Sequence, residues 1–265
     1  MFSYPGRDGQ TLFAAEVGTG ARTVVLLHGG GPDHRSLLPL GHRLAGDYRI
    51  LLPDIRGYGR SLCPDPACHT WPQYAEDAVA LLDHLGIARS AIGGTGMGST
   101  IAARTLLAYP DRFDAGILIS VEEIEDDEAK QAETAMMDAF AVTVATDGIE
   151  AAWAPILPAL APVIETLVRE AIPRSDPASI AAAAAIGRDR SFRNSSELAA
   201  IAAPTLVFPG IDERHPTSVA QDLVRILPNG HLAPNTFTAD IRTADDLADT
   251  LAPGIRAFLT SVFND

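Results

Sequence analysis

Short, continuously apolar runs recur along this chain, and most of them lead through a turn into helix-period sequence. TVVLL at 23–27 and RILL at 49–52 have no polar alternation, which suits strands buried on both faces of a sheet. Residues 90–93, 116–121, 204–209 (PTLVFP) and 232–237 read as further strands. Helical spacing falls between them, around 37–44, 99–108, 218–227 and 244–262. At 74–85 it is carried by Ala75, Ala78, Val79, Leu82 and Leu85 and stopped by Gly86. This alternation predicts an α/β fold with a mostly parallel, doubly wound sheet flanked by helices. Residues 2–4 and 11–17, joined through Gly9, read as an antiparallel pair at its edge. From Glu122 the pattern changes: residues 122–200 are alanine-rich, acidic and without a strong strand. Pro155, Pro158, Pro162, Pro173 and Pro177 divide the segment into short helices, and the alanines at 181–185 suit a helix interior. Because PTLVFP resumes the sheet, 122–200 reads as a helical lid inserted into a core of 1–121 and 201–265.

Bulk properties narrow the partners. A chain of 265 residues that is 47% hydrophobic suits one large domain with an insertion. A formal charge of −14 argues against nucleic acid and anionic membrane, leaving a small-molecule substrate or ligand as the expected partner. No apolar run is long enough to span a bilayer, and the first residues lack a signal-peptide pattern, so the expected location is cytoplasmic. Cys63 and Cys68 lie with His69 in CPDPACH, but no fourth ligand has suitable spacing. They read as ordinary loop thiols or an incidental disulfide; no metal site and no cofactor is expected.

The stretch GGTGMGST at 93–100 fits three frames. Gly93, Gly98, Ser99 and Thr100 have the spacing of a phosphate loop, with Ser99 where the lysine belongs. Gly94 and Gly96 begin a dinucleotide-type G-x-G, with Ser99 in place of the third glycine. Gly94-Thr95-Gly96-Met97-Gly98 has the frame of a nucleophile elbow, G-x-S-x-G, with glycine in the serine slot.

Three blocks in order choose among these frames. His28-Gly29-Gly30-Gly31-Pro32 follows one buried run, and Asp54-Ile55-Arg56-Gly57-Tyr58-Gly59-Arg60-Ser61 follows the next. The elbow frame comes third, trailed by Arg104 and Tyr109-Pro110-Asp111-Arg112-Phe113. Together they resemble the α/β-hydrolase superfamily over nearly the whole chain, lid position included. The resemblance implies a catalytic triad, and two of its slots depart from the pattern. Gly96 stands where the nucleophile belongs, so covalent acyl chemistry has no side chain there. The histidine slot, after the last strand, holds 236–243 with no histidine; Asp240 lies nearest, and His231 stands ahead of that strand. The acid slot is filled by Asp212, with Glu213 as the register alternative; a turn aspartate would read the same way.

The resemblance also implies an oxyanion hole made by the backbone N–H groups of Gly30 and Met97, independent of side chains. His215, three residues after Asp212, is the base candidate, paired with Asp212 as imidazole and carboxylate. His34 is a candidate for the pocket wall, and His28 for orienting its own loop. Thr95 should point away from the mouth, while Ser99 and Thr100 suit helix capping better than nucleophilic attack. Asp54 and Arg56 read as structural, Phe140 and Trp153 as lid side chains packed on the core, and the acidic run 122–128 as solvated. The expected function is an enzyme on a small carbonyl compound (ester, lactone or related) without a covalent serine intermediate. The alternatives are a catalytically dead ligand-binding protein, an inactivated serine esterase, and a lyase, isomerase or cyclase on the same fold.

Overall fold

A computed structural model describes every residue except Glu123, Glu125, Asn235, Thr236 and Asp265. Eight strands form one sheet: β1 (Phe2–Pro5), β2 (Thr11–Val17), β3 (Arg22–Leu27), β4 (Tyr48–Pro53), β5 (Ser90–Thr95), β6 (Phe113–Ile119), β7 (Thr205–Phe208) and β8 (Gly230–Leu232). Their order is β1-β2-β4-β3-β5-β6-β7-β8. β1 pairs antiparallel with β2, and β2 with β4; every other pair is parallel. The chain therefore has the mostly parallel α/β architecture expected from its apolar runs.

Nine α-helices accompany the strands among the described residues: α1 (Leu38–Leu44), α2 (Trp71–His84), α3 (Met97–Ala108), α4 (Asp127–Asp147), α5 (Ile149–Trp153), α6 (Pro162–Ala171), α7 (Pro177–Ala183), α8 (Thr217–Ile226) and α9 (Ala244–Asn264). The two-residue period of the strands sorts the core. Val25, Leu27, Leu51, Ile92, Leu118 and Val207 pack on one face with α2, α3 and α8. Val24, Leu26, Ile50, Leu52, Ile117 and Phe208 pack on the other with α1 and α9. α2 starts at Trp71, three residues before the expected 74, because the Thr70 side chain caps Gln73 N–H at 3.3 Å and Pro72 suits the first turn.

β8 is shorter and earlier than the expected 232–237. Ala233 N–H still bonds to Val207 C=O at 2.8 Å, but Pro234 has no N–H to extend the ladder. His231 is consequently the middle residue of β8, its ring tilted against Phe258. Between β6 and β7 the described residues hold helices and no strand, with α4 packed on α5 and α7. No helix among the described residues is long and apolar enough to cross a membrane.

Candidate active site

The elbow is built by close packing. β5 ends at Thr95 and α3 begins at Met97, so Gly96 alone makes the turn. A Cβ on Gly94 would lie 2.4 Å from the Gly98 carbonyl carbon, and one on Gly98 would lie 2.3 Å from Leu27 O, so both positions exclude a side chain. Gly96 itself has φ 51° and ψ −120°, a conformation that is strained for any residue with a Cβ. Yet its surroundings are open. A Cβ there would meet only His215 Nε2, at 3.3 Å.

His215 reaches the elbow because of a local turn after β7. Asp212 Oδ1 accepts from the N–H groups of Arg214 (3.1 Å) and His215 (3.0 Å). The same oxygen lies 2.7 Å from His215 Nδ1, and both side chains are 7% exposed. Asp212 Oδ2 accepts from Ala161 N–H at 3.0 Å, a contact reaching across from the helical segment. Burial pushes the Asp212 carboxyl up. The hydrogen bond and charge of His215, with the N–H groups of Ala161 and His215, outweigh burial and hold it below its ordinary value. An ionised Asp212 accepts from Nδ1–H, which leaves the Nε2 lone pair of the neutral ring facing Gly96. Glu122 Oε1 also stands 4.0 Å from Nε2, and Glu122 shares Arg214 with Glu133, at 3.8 and 3.4 Å.

A cavity of about 140 Å³ covers this centre. Gly30, Thr95, Gly96, Met97, Asp212 and His215 line it, as do Tyr58, Ser120, Glu122, Glu133 and Arg214. Most of the remaining wall is apolar and comes from the helical segment. Phe140 and Trp153 meet there edge to face at 5.3 Å, and the Trp153 ring also lies against the loop at Gly31. They form cavity wall as well as packing on the core. Met97 opens α3, so its N–H has no partner within the helix, and no backbone bond among the described residues uses Gly30 N–H.

Residues 22–149 match the model of the alpha/beta hydrolase fold family. The chain has the α/β-hydrolase fold. It is 36% identical over 126 residues to a 2-hydroxy-6-oxononadienedioate/2-hydroxy-6-oxononatrienedioate hydrolase of Cupriavidus pinatubonensis. That match spans 43% of this chain and 42% of the relative, so less than half of either protein is compared. Among solved structures, a thermophilic esterase from Thermogutta terrifontis superposes with a TM-score of 0.81 at 24% identity, covering 98% of both chains. A bottromycin epimerase in complex with bottromycin A2 superposes with a TM-score of 0.71 at 25% identity, again over 98% of both chains.

Within this hydrolase fold the sequence candidates separate cleanly. Gly96, Asp212, His215, Gly30 and Met97 converge on the cavity, and Thr95 joins its wall rather than pointing away. His28 lies outside the wall: its Nε2 accepts from Ile55 N–H at 3.0 Å and its Nδ1 meets Gly29 C=O at 2.8 Å. His34 is not in the wall either, because Asp54 Oδ1 holds its Nδ1 at 2.7 Å. Asp240 is exposed and away from the cavity; its loop contributes Phe237 instead, and Thr236 lies outside the described residues. Ser99 is fully engaged, its Oγ bonded to Gly94 C=O, Ile119 C=O and Ile119 N–H at 2.6–2.8 Å. Arg56 is buried between Asp8 and Asp77, as a structural role requires. Cys63 and Cys68 are both free, and no three His, Cys, Asp or Glu side chains among the described residues are grouped to hold a metal ion.

Three wall residues escaped the sequence reading. Glu122 heads an acidic run whose sequence predicts a solvated stretch, of which Glu123 and Glu125 lie outside the described residues. It instead lines the cavity, at the carboxyl end of β6, where ligands of open α/β sheets gather. Ser120, two residues before it, has φ 52°, the only positive φ at a non-glycine among the described residues. Tyr58 stands in its sequence block between Gly57 and Gly59, whose positive φ values fold the turn that carries the ring inward.

Proposed function

We propose that this chain is an enzyme acting on a small carbonyl compound, an ester, a lactone or a related compound, without a covalent serine intermediate. One observation carries the reading. His215 Nε2 lies 3.3 Å from the point a side chain at position 96 would occupy, with Nδ1 fixed by Asp212 at 2.7 Å. The base of a nucleophile elbow is in place where the nucleophile is not. In this mechanism the substrate carbonyl oxygen accepts from the N–H groups of Gly30 and Met97. A water molecule gives one proton to His215 Nε2 as its oxygen attacks the carbonyl carbon. The oxyanion collapses, the C–O bond to the leaving group breaks, and the imidazolium returns the proton to the leaving oxygen. Asp212 holds the tautomer and stabilises the imidazolium, as does the charge of Glu122. Each donor is worth about 3 kcal/mol and the base a factor of about 10²–10⁴. The segment 122–200 serves as a lid on a core of 1–121 and 201–265, excluding water beyond the one that reacts.

The test is turnover of a panel of small activated esters and lactones, with His215→Ala and Asp212→Asn alongside. Hydrolysis that falls about 10²-fold or more in His215→Ala supports the reading. A parent without turnover, or turnover indifferent to both variants, sinks it.

A second reading is favoured by the bottromycin epimerase, which aligns along the whole chain. With no nucleophile, the same base and donors suit removal of a proton from the carbon beside a carbonyl and its return. Exchange of that hydrogen with deuterated solvent, without hydrolysis, would select this reading.

A further inference from the structure

Tyr58 is a buried phenol whose hydroxyl has no strong acceptor. Its ring is 7% exposed, and its Oη donates among the described residues only to the thioether of Met97, at 4.0 Å. A thioether is a weak acceptor, and a buried hydroxyl left with one costs stability that a phenylalanine would not. Nor is the ring free to turn elsewhere. Its backbone is pinned on both sides, by Tyr58 N–H to Ile55 C=O (2.8 Å) and Ser61 N–H to Tyr58 C=O (2.9 Å). Asp54 Oδ2 closes the turn by accepting from Arg60 N–H at 2.9 Å. The His28 ring packs edge-on against the phenol at 5.6 Å, itself fixed by Ile55 N–H and Gly29 C=O.

The position of Oη explains the arrangement. It lies 4.0 Å from the point a Cβ on Gly30 would occupy and beside the Met97 side chain, within the wall of the cavity. Gly30 and Met97 are the two residues whose N–H groups the proposed mechanism uses. Burial, then the charge of Glu122, push the phenol well above its ordinary value, so it remains a donor throughout the working pH range.

We propose that Tyr58 is a third donor to the substrate oxyanion, a side-chain hydroxyl placed between the backbone donors of Gly30 and Met97. This rests on the oxyanion reading above. The ligand chemistry it selects is a single-ring or smaller compound carrying a carbonyl that becomes an enolate or tetrahedral oxyanion. The cavity of about 140 Å³ is close to that of an engineered apolar cavity that takes up benzene, about 150 Å³.

Binding of 4-nitrophenolate and of its uncharged ether, 4-nitroanisole, tests the donor without any turnover. Both are titrated into the parent and Tyr58→Phe at a pH where 4-nitrophenol is ionised and Tyr58 is not. The expected result is a parent that prefers the phenolate, and a Tyr58→Phe variant in which that preference falls about tenfold while the ether binds unchanged. A preference kept in full by Tyr58→Phe overturns the role of Tyr58 and leaves the oxyanion hole standing. A parent that binds phenolate no better than ether overturns the oxyanion reading, and Tyr58 with it. The readout is a ratio within one variant, so a partial loss of fold weakens both probes alike. Tyr58→Leu, read by the same ratio, substitutes should Tyr58→Phe not fold.

Discussion

Placing serine at position 96 tests whether His215 is aimed where a nucleophile would stand. A Cβ at this position lies 3.3 Å from Nε2, so an Oγ one bond further comes within the reach of about 2.6–3.2 Å that base and nucleophile need. Two effects oppose the substitution. At φ 51° and ψ −120° a residue with a Cβ pays about 1–3 kcal/mol of backbone strain, partly offset by about 0.4–1 kcal/mol from a stiffer unfolded chain. The 3.3 Å contact also asks the imidazole to yield by a few tenths of an ångström, which a side chain can do. The net is a loss of about 1–2 kcal/mol, or a melting temperature lower by about 2–8 °C. Gly96→Ala carries the same strain without the hydroxyl and is the stability control. In 4-nitrophenyl acetate, Gly96→Ser should attack the carbonyl through Oγ, pass its proton to Nε2 and expel 4-nitrophenolate. One acetyl group per chain should then appear by intact-mass measurement, with a matching burst of nitrophenolate. Gly96→Ala and Gly96→Ser with His215→Ala should show neither. A folded Gly96→Ser protein that neither takes up acetyl nor releases nitrophenolate faster than Gly96→Ala would refute the argument, since it would mean that Nε2 does not face the elbow.

The depressed Asp212 carboxyl contributes stability above the ordinary carboxylate value and loses it as pH falls through the folded value. The melting-temperature gap between the parent and Asp212→Asn should therefore be full near neutrality and close below about pH 4. Arg56, wholly buried, bonds to both carboxylate oxygens of Asp77 and of Asp8 at 2.7–3.0 Å. Arg56→Met should cost about 3–5 kcal/mol in urea unfolding, and Arg56→Lys should not restore it, because an ammonium cannot make two forked pairs. Ser99→Ala strips bonds from Gly94, Ile119 and the elbow between them, and should cost about 1–3 kcal/mol by the same measurement.

What was legible in the sequence is what steric crowding dictates. The runs TVVLL and RILL read as strands because both faces of β3 and β4 are buried, and the glycines at 94 and 98 read as an elbow because no Cβ fits between β5, α3 and Leu27. The Asp212–His215 pair was legible because His215 is three positions after Asp212, so one turn decides their contact. Tyr58 and Glu122 were not legible as site residues. A tyrosine between two glycines and a glutamate heading an acidic run look alike in solvent and in a cavity. Their place follows from the strand order β4-β3-β5-β6, which sets the carboxyl ends of four strands side by side. That order is a long-range property, and no local spacing encodes it. For the same reason His34 misled: its nearness in sequence to the Gly30 loop says nothing of Asp54, twenty residues on, which claims its ring.

One contact joins the helical segment to the base, and a single substitution can remove it. Ala161 N–H donates to Asp212 Oδ2 at 3.0 Å from the residue just before α6. Ala161 has φ −57°, close to the value proline imposes, and Leu160 before it is extended at φ −96° and ψ 158°, as a residue preceding proline must be. Ala161→Pro should thus delete one donor and leave the backbone path unchanged. A hydrogen bond to a charged acceptor is worth about 1.5–3 kcal/mol, and proline at a compatible site returns about 0.4–1 kcal/mol through the unfolded chain, so the net loss is about 1–2 kcal/mol. Its effect on chemistry has a definite sign. With one donor fewer the Asp212 carboxyl rises toward its ordinary value and its charge accepts more strongly from Nδ1–H, so the acid limb of the pH–rate profile moves to higher pH. The single-turnover acetylation of Gly96→Ser supplies the rate without a known natural substrate, measured with and without Ala161→Pro from pH 4 upward. An unshifted acid limb in the folded double variant would show that Asp212 does not depend on the segment above it, and that the helices between β6 and β7 cover the cavity without setting the strength of its base.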